Sequence, residues 1–182
     1  RRVLFRSGGS GTEEDPYQVA TLQQLQEVQN HLHNHFIQTA DIDASATSGW
    51  NNGTGFVPIG SEENPFTGSY DGDNYDITGL TIDRKGAGHT ESQYIGLFGK
   101  LREATVIRVN LVNVTITGRR FTGTLVGYSR ESKVAESSAS GELTVGADQN
   151  GGLVGYNWGR ITVCSTDVSI TSDTLATVTI GG

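Results

Sequence analysis

A glycine-bounded segment recurs three times in this chain: Gly96-Leu97-Phe98-Gly99, Gly123-Thr124-Leu125-Val126-Gly127 and Gly151-Gly152-Leu153-Val154-Gly155. The closing glycines, 99, 127 and 155, are separated by 28 and 28 residues. A fixed period means that one supersecondary unit is built repeatedly and that neighbouring copies bury each other's apolar face. It also argues against reading 151–159 as a phosphate-binding loop, which needs one copy between a strand and a helix with its Lys and Ser/Thr in place.

Each closing glycine leads into a strand-like pattern. Val106, Val134 and Ile161 come seven, seven and six residues on, and later come Val114-Thr115-Ile116-Thr117, Leu143-Thr144-Val145-Gly146 and Val168-Ser169-Ile170-Thr171. Period two puts the apolar residues on one face and the hydroxyls on the other. Each repeat is therefore expected to be a coil of short strands, stacked on the next at about 4.8 Å with parallel backbone ladders. The predicted fold class is all-β, a β-solenoid. Its repeat glycines (96, 99, 123, 127, 152, 155) are expected to supply turn conformations and close backbone approach, with Leu97, Leu125 and Leu153 in one interior column.

The rest of the chain agrees. Twenty-five glycines, three prolines and no methionine leave little material for long helices. Thr21 and Gln24 fit a capping box, and Leu22, Leu25, Val28 and Leu32 lie near one stripe, predicting a helix of about three turns over about 21–34 that caps the stack. Strands are expected around 36–42, 56–59 and 77–82, in first coils spanning 36–92, with the repeats over 94–172. The basic opening RRVLFRS, residues 1–7, resembles translated adapter sequence and is set apart from a single domain over 8–182. Residues 173–182 drift from the pattern.

Several segments together carry a resemblance: Gly11-Thr-Glu-Glu-Asp-Pro-Tyr-Gln-Val19, Ala40-Asp-Ile-Asp43, Trp50-Asn51, Phe56-Val-Pro-Ile-Gly60, Phe66-Thr-Gly-Ser-Tyr-Asp-Gly72, Gly79-Leu-Thr-Ile82 and the Gly-Leu-Val-Gly-Tyr repeats. The chain is similar over roughly 8–172 to bacterial GLUG-motif proteins. These are surface or secreted modules found in adhesin-like proteins and beside some immunoglobulin A1 peptidase units. The resemblance implies a right-handed parallel β-helix outside the cytoplasm, and no chemistry of its own.

Charge and motifs narrow the function. The net charge of −7, with three arginines in the first six residues, disfavours nucleic acid and anionic membranes as partners. No apolar run is long enough for a membrane-spanning helix. The chain lacks a start Met and a secretory signal, and is expected to be part of a longer protein. The single Cys164 reads as a small buried apolar residue, not a nucleophile. Asp71, Asp73 and Asp76 raise calcium, but the EF-hand spacing fails and an Asp-Gly turn explains them. His31, His33 and His35 lack a recognisable third zinc ligand, and there is no HExxH; His89 lies in a glycine-rich loop. Asp41, Asp43, Asp83 and Arg84 supply the residue types of a polysaccharide lyase or hydrolase, without a pattern that unites them. Asn52 and Asn113 match glycosylation acceptors and carry no weight.

Two outward features remain. Aligned by their alternation, the repeats place Thr115, Thr144 and Ser169 in one row, and Thr117, Gly146 and Thr171 in another, a hydroxyl ladder similar to ice-binding faces. Threonine also simply suits an exposed strand. Trp50, Trp158, Tyr128 and Tyr156 offer either a sugar-stacking platform or a half-buried ladder, Tyr128 and Tyr156 each coming directly after a repeat glycine. The expected function is a non-catalytic extracellular module, adhesin-like, without cofactor or metal, that binds a host or matrix glycan or protein. Ice binding and polysaccharide cleavage are the alternatives.

Overall fold

The computed structural model describes residues 8–86, 88, 92–146, 148–172 and, for the backbone, 180–181. The basic opening 1–7, His89 and most of 173–182 lie outside the described residues. The protein is built of short strands in three sheets, and the pairs that make up those sheets are parallel. The first sheet runs, in spatial order, Tyr17–Val19, His35–Gln38, Ser69–Asp71, Thr105–Ile107, Val126–Ala135 and Val154–Thr162, with Phe98–Arg102 also paired to Val126–Ala135. The second runs Ile42–Asp43, Asp76–Thr78, Asn110–Gly118, Ser138–Val145 and Ser165–Ser172, with Thr81–Asp83 also on Asn110–Gly118. The third holds Gln93–Ile95, Arg120–Thr122, Asn150–Gly151 and Ile180–Gly181. From residue 93 onward the chain visits third, first and second sheet in the same cyclic order, returning to each after about 28 residues.

The register obeys the repeat. Phe98 pairs with Val126 and Val126 with Val154, so Leu97, Leu125 and Leu153, one residue earlier, occupy equivalent places. The backbone N–H of Phe98 donates to the Leu125 carbonyl at 2.9 Å, and that of Leu125 to the Leu153 carbonyl at 3.0 Å. All three leucines are buried. Val106 and Ile161 both pair with Val134, as the spacing predicts. Fully burying such a side chain stabilises the fold by about 1.5–3 kcal/mol, which is why the apolar column, rather than strand propensity, holds the rungs in line.

Four expectations are corrected. The helix is shorter than three turns: Leu22–Glu27 is α-helical and Val28–Asn30 is 3-10, before the strand at His35 begins. Its capping box forms, with the Gln24 N–H donating to Thr21 Oγ1 at 3.3 Å and the Thr21 N–H donating to Gln24 Oε1 at 3.1 Å. Residues 56–59 make no strand, only an isolated bridge from Ile59 to Phe98, because Pro58 removes a ladder donor there. The stretches 36–42 and 77–82 are each two strands, ending at Gln38 and Thr78 and resuming at Ile42 and Thr81.

The fourth correction concerns the glycines. The repeat glycines do not adopt positive φ; Gly96, Gly99, Gly123, Gly127 and Gly155 are required by close backbone approach, whereas at Gly152 a Cβ would meet only the Thr166 side chain, at 3.1 Å. A Cβ on Gly127 would lie 2.6 Å from the Phe121 carbonyl oxygen and 2.7 Å from that of Gly99, and one on Gly155 would lie 2.7 Å from the Gly127 oxygen. The left-handed bends are made instead by other residues in stacked columns: Tyr94, Phe121 and Gln149; Glu103 and Glu131; Arg108, Glu136 and Val163. A left-handed β-branched residue is strained by roughly 1–2 kcal/mol. Val163, with φ 54° and 83% exposed, recovers little of that by packing. Val163→Asn, a residue that tolerates this conformation, is expected to stabilise the protein by about 1 kcal/mol, read as a rise of about 2–4 °C in the thermal midpoint. A fall would show that the valine contributes more by contact than it loses by strain.

Candidate functional site

The repeat motif forms the corner at which the third sheet passes into the first, and this corner gathers the outward aromatic side chains. Phe121 pairs in register beside Tyr94 on the third sheet, since Arg120 opposes Gln93 and Thr122 opposes Ile95. Across the corner, on the first sheet, Lys100, Tyr128 and Tyr156 occupy one row. Small glycines in the corner let the two rows meet. Tyr94 stacks on Phe121 with ring centroids 5.0 Å apart, Phe121 sets its edge to Tyr128 at 5.4 Å, and Tyr128 stacks on Tyr156 at 5.2 Å with an interplanar angle of 24°. Offset and edge-on geometries of this kind are the favourable ones for aromatic quadrupoles.

Trp158 extends the strip. Its ring lies 29° from parallel to Tyr156, its indole N–H donates to the Tyr156 hydroxyl at 2.8 Å, and it is 64% exposed. The Lys100 ammonium sits 5.2 Å from the ring centres of both Tyr94 and Tyr128, and the Arg120 guanidinium 4.4 Å from that of Phe121, within cation–π range. Tyr94 also borders a groove of about 500 Å³ lined by Pro58, Ser61, Glu62, Glu63 and Arg84.

Of the four expected platform residues, then, Tyr128, Tyr156 and Trp158 are brought together. Trp50 is not: it packs half-buried against the core at the 3-10 segment Ser45–Gly53. Tyr94, Phe121 and Lys100 escaped the sequence reading. Their signal was the spacing itself, 27 residues from Tyr94 to Phe121 and 28 from Lys100 to Tyr128 to Tyr156.

The hydroxyl ladder has a different register from the one expected. Thr117 pairs with Thr144 and Thr144 with Thr171, with Thr144 Oγ1 and Thr171 Oγ1 3.1 Å apart. Thr115 and Ser169 both face Glu142 instead. The shift is two residues, which leaves the apolar face unchanged: Ile116 meets Leu143 and Gly118 meets Val145. The pairing slips at a bulge between Leu111 and Val114, and Gly141, at φ 135°, permits the result, because a Cβ there would strike the Val114 carbonyl oxygen at 2.1 Å. One row of three threonines therefore stands beside a row interrupted by a carboxylate, and Asp83 continues the threonine row on its other side. Gly146 does not share that row; the pairing puts Thr144 opposite both Thr117 and Thr171.

The other candidates are engaged locally. Asp71 accepts from Arg108 Nε at 2.9 Å and from a second guanidinium nitrogen, and Asp73 lies 3.2 Å from Arg108 Nη1, so an arginine holds two of the three carboxylates considered for calcium. Asp73 and Asn74 take positive φ in a tight turn in which the Asp73 N–H donates to Asp71 Oδ1 at 2.9 Å. His33 and His35 meet Thr67 and Ser69 at 2.6 and 2.8 Å, while His31 lies 3.9 Å from Glu27. Outside the helix, His31 and His35 share no helical face. Among the described residues no group of three or more His, Cys, Asp or Glu side chains is placed to hold a metal. Asp41, Asp43 and Asp83 accept from the backbone N–H groups of Asp76, Ser45 and Lys85 at 2.9, 2.9 and 2.8 Å, and Arg84 donates to the carbonyls of Thr54 and Phe56. Cys164 is half-buried rather than buried, its thiol near the carbonyls of Thr162 and Val134. Among the described residues no helix is long and apolar enough to cross a membrane.

Comparison with known proteins finds two relatives. Over 156 residues the chain is 40% identical to a protein of Haloquadratum walsbyi named Halomucin, a match covering 81% of this chain and 2% of that protein. Over 116 residues it is 38% identical to a protein of Evansella cellulosilytica named as a Gly-rich membrane protein, covering 62% of this chain and 12% of that protein. The chain thus spans a small part of the relatives it matches. No family model matches it, and no solved structure does.

Tyr94 reports on the site. Burial first, and then the hydrogen bond its hydroxyl donates to Glu62 at 2.9 Å, push the phenol up to about 12. Because the folded phenol keeps its proton above the ordinary value of 10.0, its contribution to stability is present below pH 10 and is lost as pH rises toward about 12. Glu62→Gln is expected to lower that titration, monitored by phenolate absorbance. An unchanged value would mean that the Glu62 contact does not form in solution.

Proposed function

We propose that the chain is a right-handed parallel β-helix serving as a non-catalytic, adhesin-like module of a surface or secreted protein. The observation that carries this reading is the cyclic return to each of three parallel sheets after about 28 residues, which buries one continuous core and turns every other side chain outward. A rigid stack of this kind displays its faces without needing a moving part. The GLUG-motif resemblance supports the handedness and the extracellular setting. The names of the two relatives, one a Halomucin and one a membrane protein, support attachment to a surface, and the small share of each that is matched supports a module within a longer chain.

A non-catalytic role accords with the local engagement of the carboxylates and Arg84 that a polysaccharide-cleaving β-helix would have to free. The hydroxyl face supports ice binding less than its spacing promised, since Glu142 and Asp83 break its regularity. Amide hydrogen exchange of the purified chain is expected to be slow at the ladder donors Phe98, Gly123 and Leu125, and incubation with a panel of acidic and neutral polysaccharides is expected to release no new reducing ends. Exchange at those amides as fast as in the turns would contradict the stacked helix; released product would contradict the non-catalytic role.

A further inference from the structure

The outward face of the first sheet concentrates positive charge on an acidic protein. Beyond the row Lys100–Tyr128–Tyr156, the next outward row is Arg102–Arg130–Trp158, and the next ends Lys133–Arg160. With Arg120 at the corner, six of the chain's 13 Lys and Arg residues surround the aromatic strip, while the chain as a whole carries −7. Glu103 and Glu131 flank this face at the bend, and Glu131 pairs with Arg130 at 3.5 Å.

Two of these rows set like charges side by side. Arg102 is the direct lateral partner of Arg130, and Lys133 of Arg160, one strand spacing of about 4.8 Å apart. Like charges in facing positions on neighbouring strands repel and lower stability. Within the folded chain only the exposed Arg130–Glu131 contact offsets this, and such a contact is worth little. Local choices that work against the fold mark functional positions, and an anion lying across each pair converts the repulsion into shared attraction.

From this, resting on the proposed display role, we infer that the first sheet's outward face binds a carboxylate-bearing polysaccharide. The chain of sugars crosses the face diagonally, with carboxylates between Arg102 and Arg130 and between Lys133 and Arg160, and with a pyranose face on the exposed ring of Trp158. Arg matches the planar carboxylate in a two-pronged hydrogen bond, and an indole face accepts the apolar face of a sugar. Duplex nucleic acid carries a charge per roughly 1.7 Å and would meet the acidic remainder of the chain, so the lower charge density of a polyuronate suits this surface better.

The test is direct binding of polygalacturonate to the intact chain at low salt, beside its fully methyl-esterified form and a duplex DNA oligonucleotide. Polygalacturonate is expected to bind, its ester and the DNA at least tenfold more weakly. Arg102→Gln with Arg130→Gln, and separately Trp158→Ala, are each expected to weaken binding at least tenfold. The double arginine variant should not lower the thermal midpoint, since it removes a repulsion, so lost binding would not reflect lost fold. No binding, equal binding of the ester, DNA bound as tightly, or variants that bind like the parent would each overturn the assignment. Slow exchange of the ladder amides surviving such a failure would leave the display role standing.

Discussion

The structure depends on one constraint: neighbouring rungs must come close enough for their backbones to hydrogen-bond at the corners as well as along the strands. Gly99, Gly127 and Gly155 satisfy it by having no Cβ where the carbonyl of the adjoining rung arrives. With the corners fixed, the intervening strands have little choice of register, and Leu97, Leu125 and Leu153 fall inside together. Differences of a residue between repeats, such as the 27 from Thr117 to Thr144 against the 28 from Phe98 to Val126, are absorbed at bulges in the long strands.

The bends between sheets use a different device. Non-glycine residues in left-handed conformation recur in columns, so the strain is repeated rung after rung. Buried hydroxyls support these bends: Ser132 accepts from the Ala104 N–H at 3.0 Å and Ser137 from the Val109 N–H at 3.1 Å, giving partners to donors that the bent ladder leaves behind. One such column, Tyr94 and Phe121, also carries the aromatic rings outward to the corner. Shape and display are thus produced by the same backbone feature.

Much of this was legible in the sequence. The spacing of the closing glycines indicated the pairing of Phe98, Val126 and Val154, and the Thr21–Gln24 pair marked where the helix begins. The helix end was not legible, because Leu32 continues the apolar stripe while the chain has already turned toward the strand at His35. The hydroxyl rows were misaligned because a two-residue slip keeps every apolar residue inside; the bulge between Leu111 and Val114 that moves the pairing leaves no mark on the apolar alternation. The aromatic strip was half seen, since rows are recognised only when residues are counted against the repeat rather than read along the chain.

An outward face with like charges stacked beside rings is the part of this molecule that its own stability does not explain, and its meaning depends on the alignment of the rungs. The alignment is tested most directly by cysteine pairs in a Cys164→Ser background. Thr117→Cys with Thr144→Cys places two thiols on facing residues of adjacent strands, within the Cα range of about 4.4–6.8 Å that a disulfide spans, whereas Thr115→Cys with Thr144→Cys sets them a diagonal apart. Mild oxidation is expected to link the first pair readily and the second poorly; the reverse order, or linkage of neither, would contradict the stacked register.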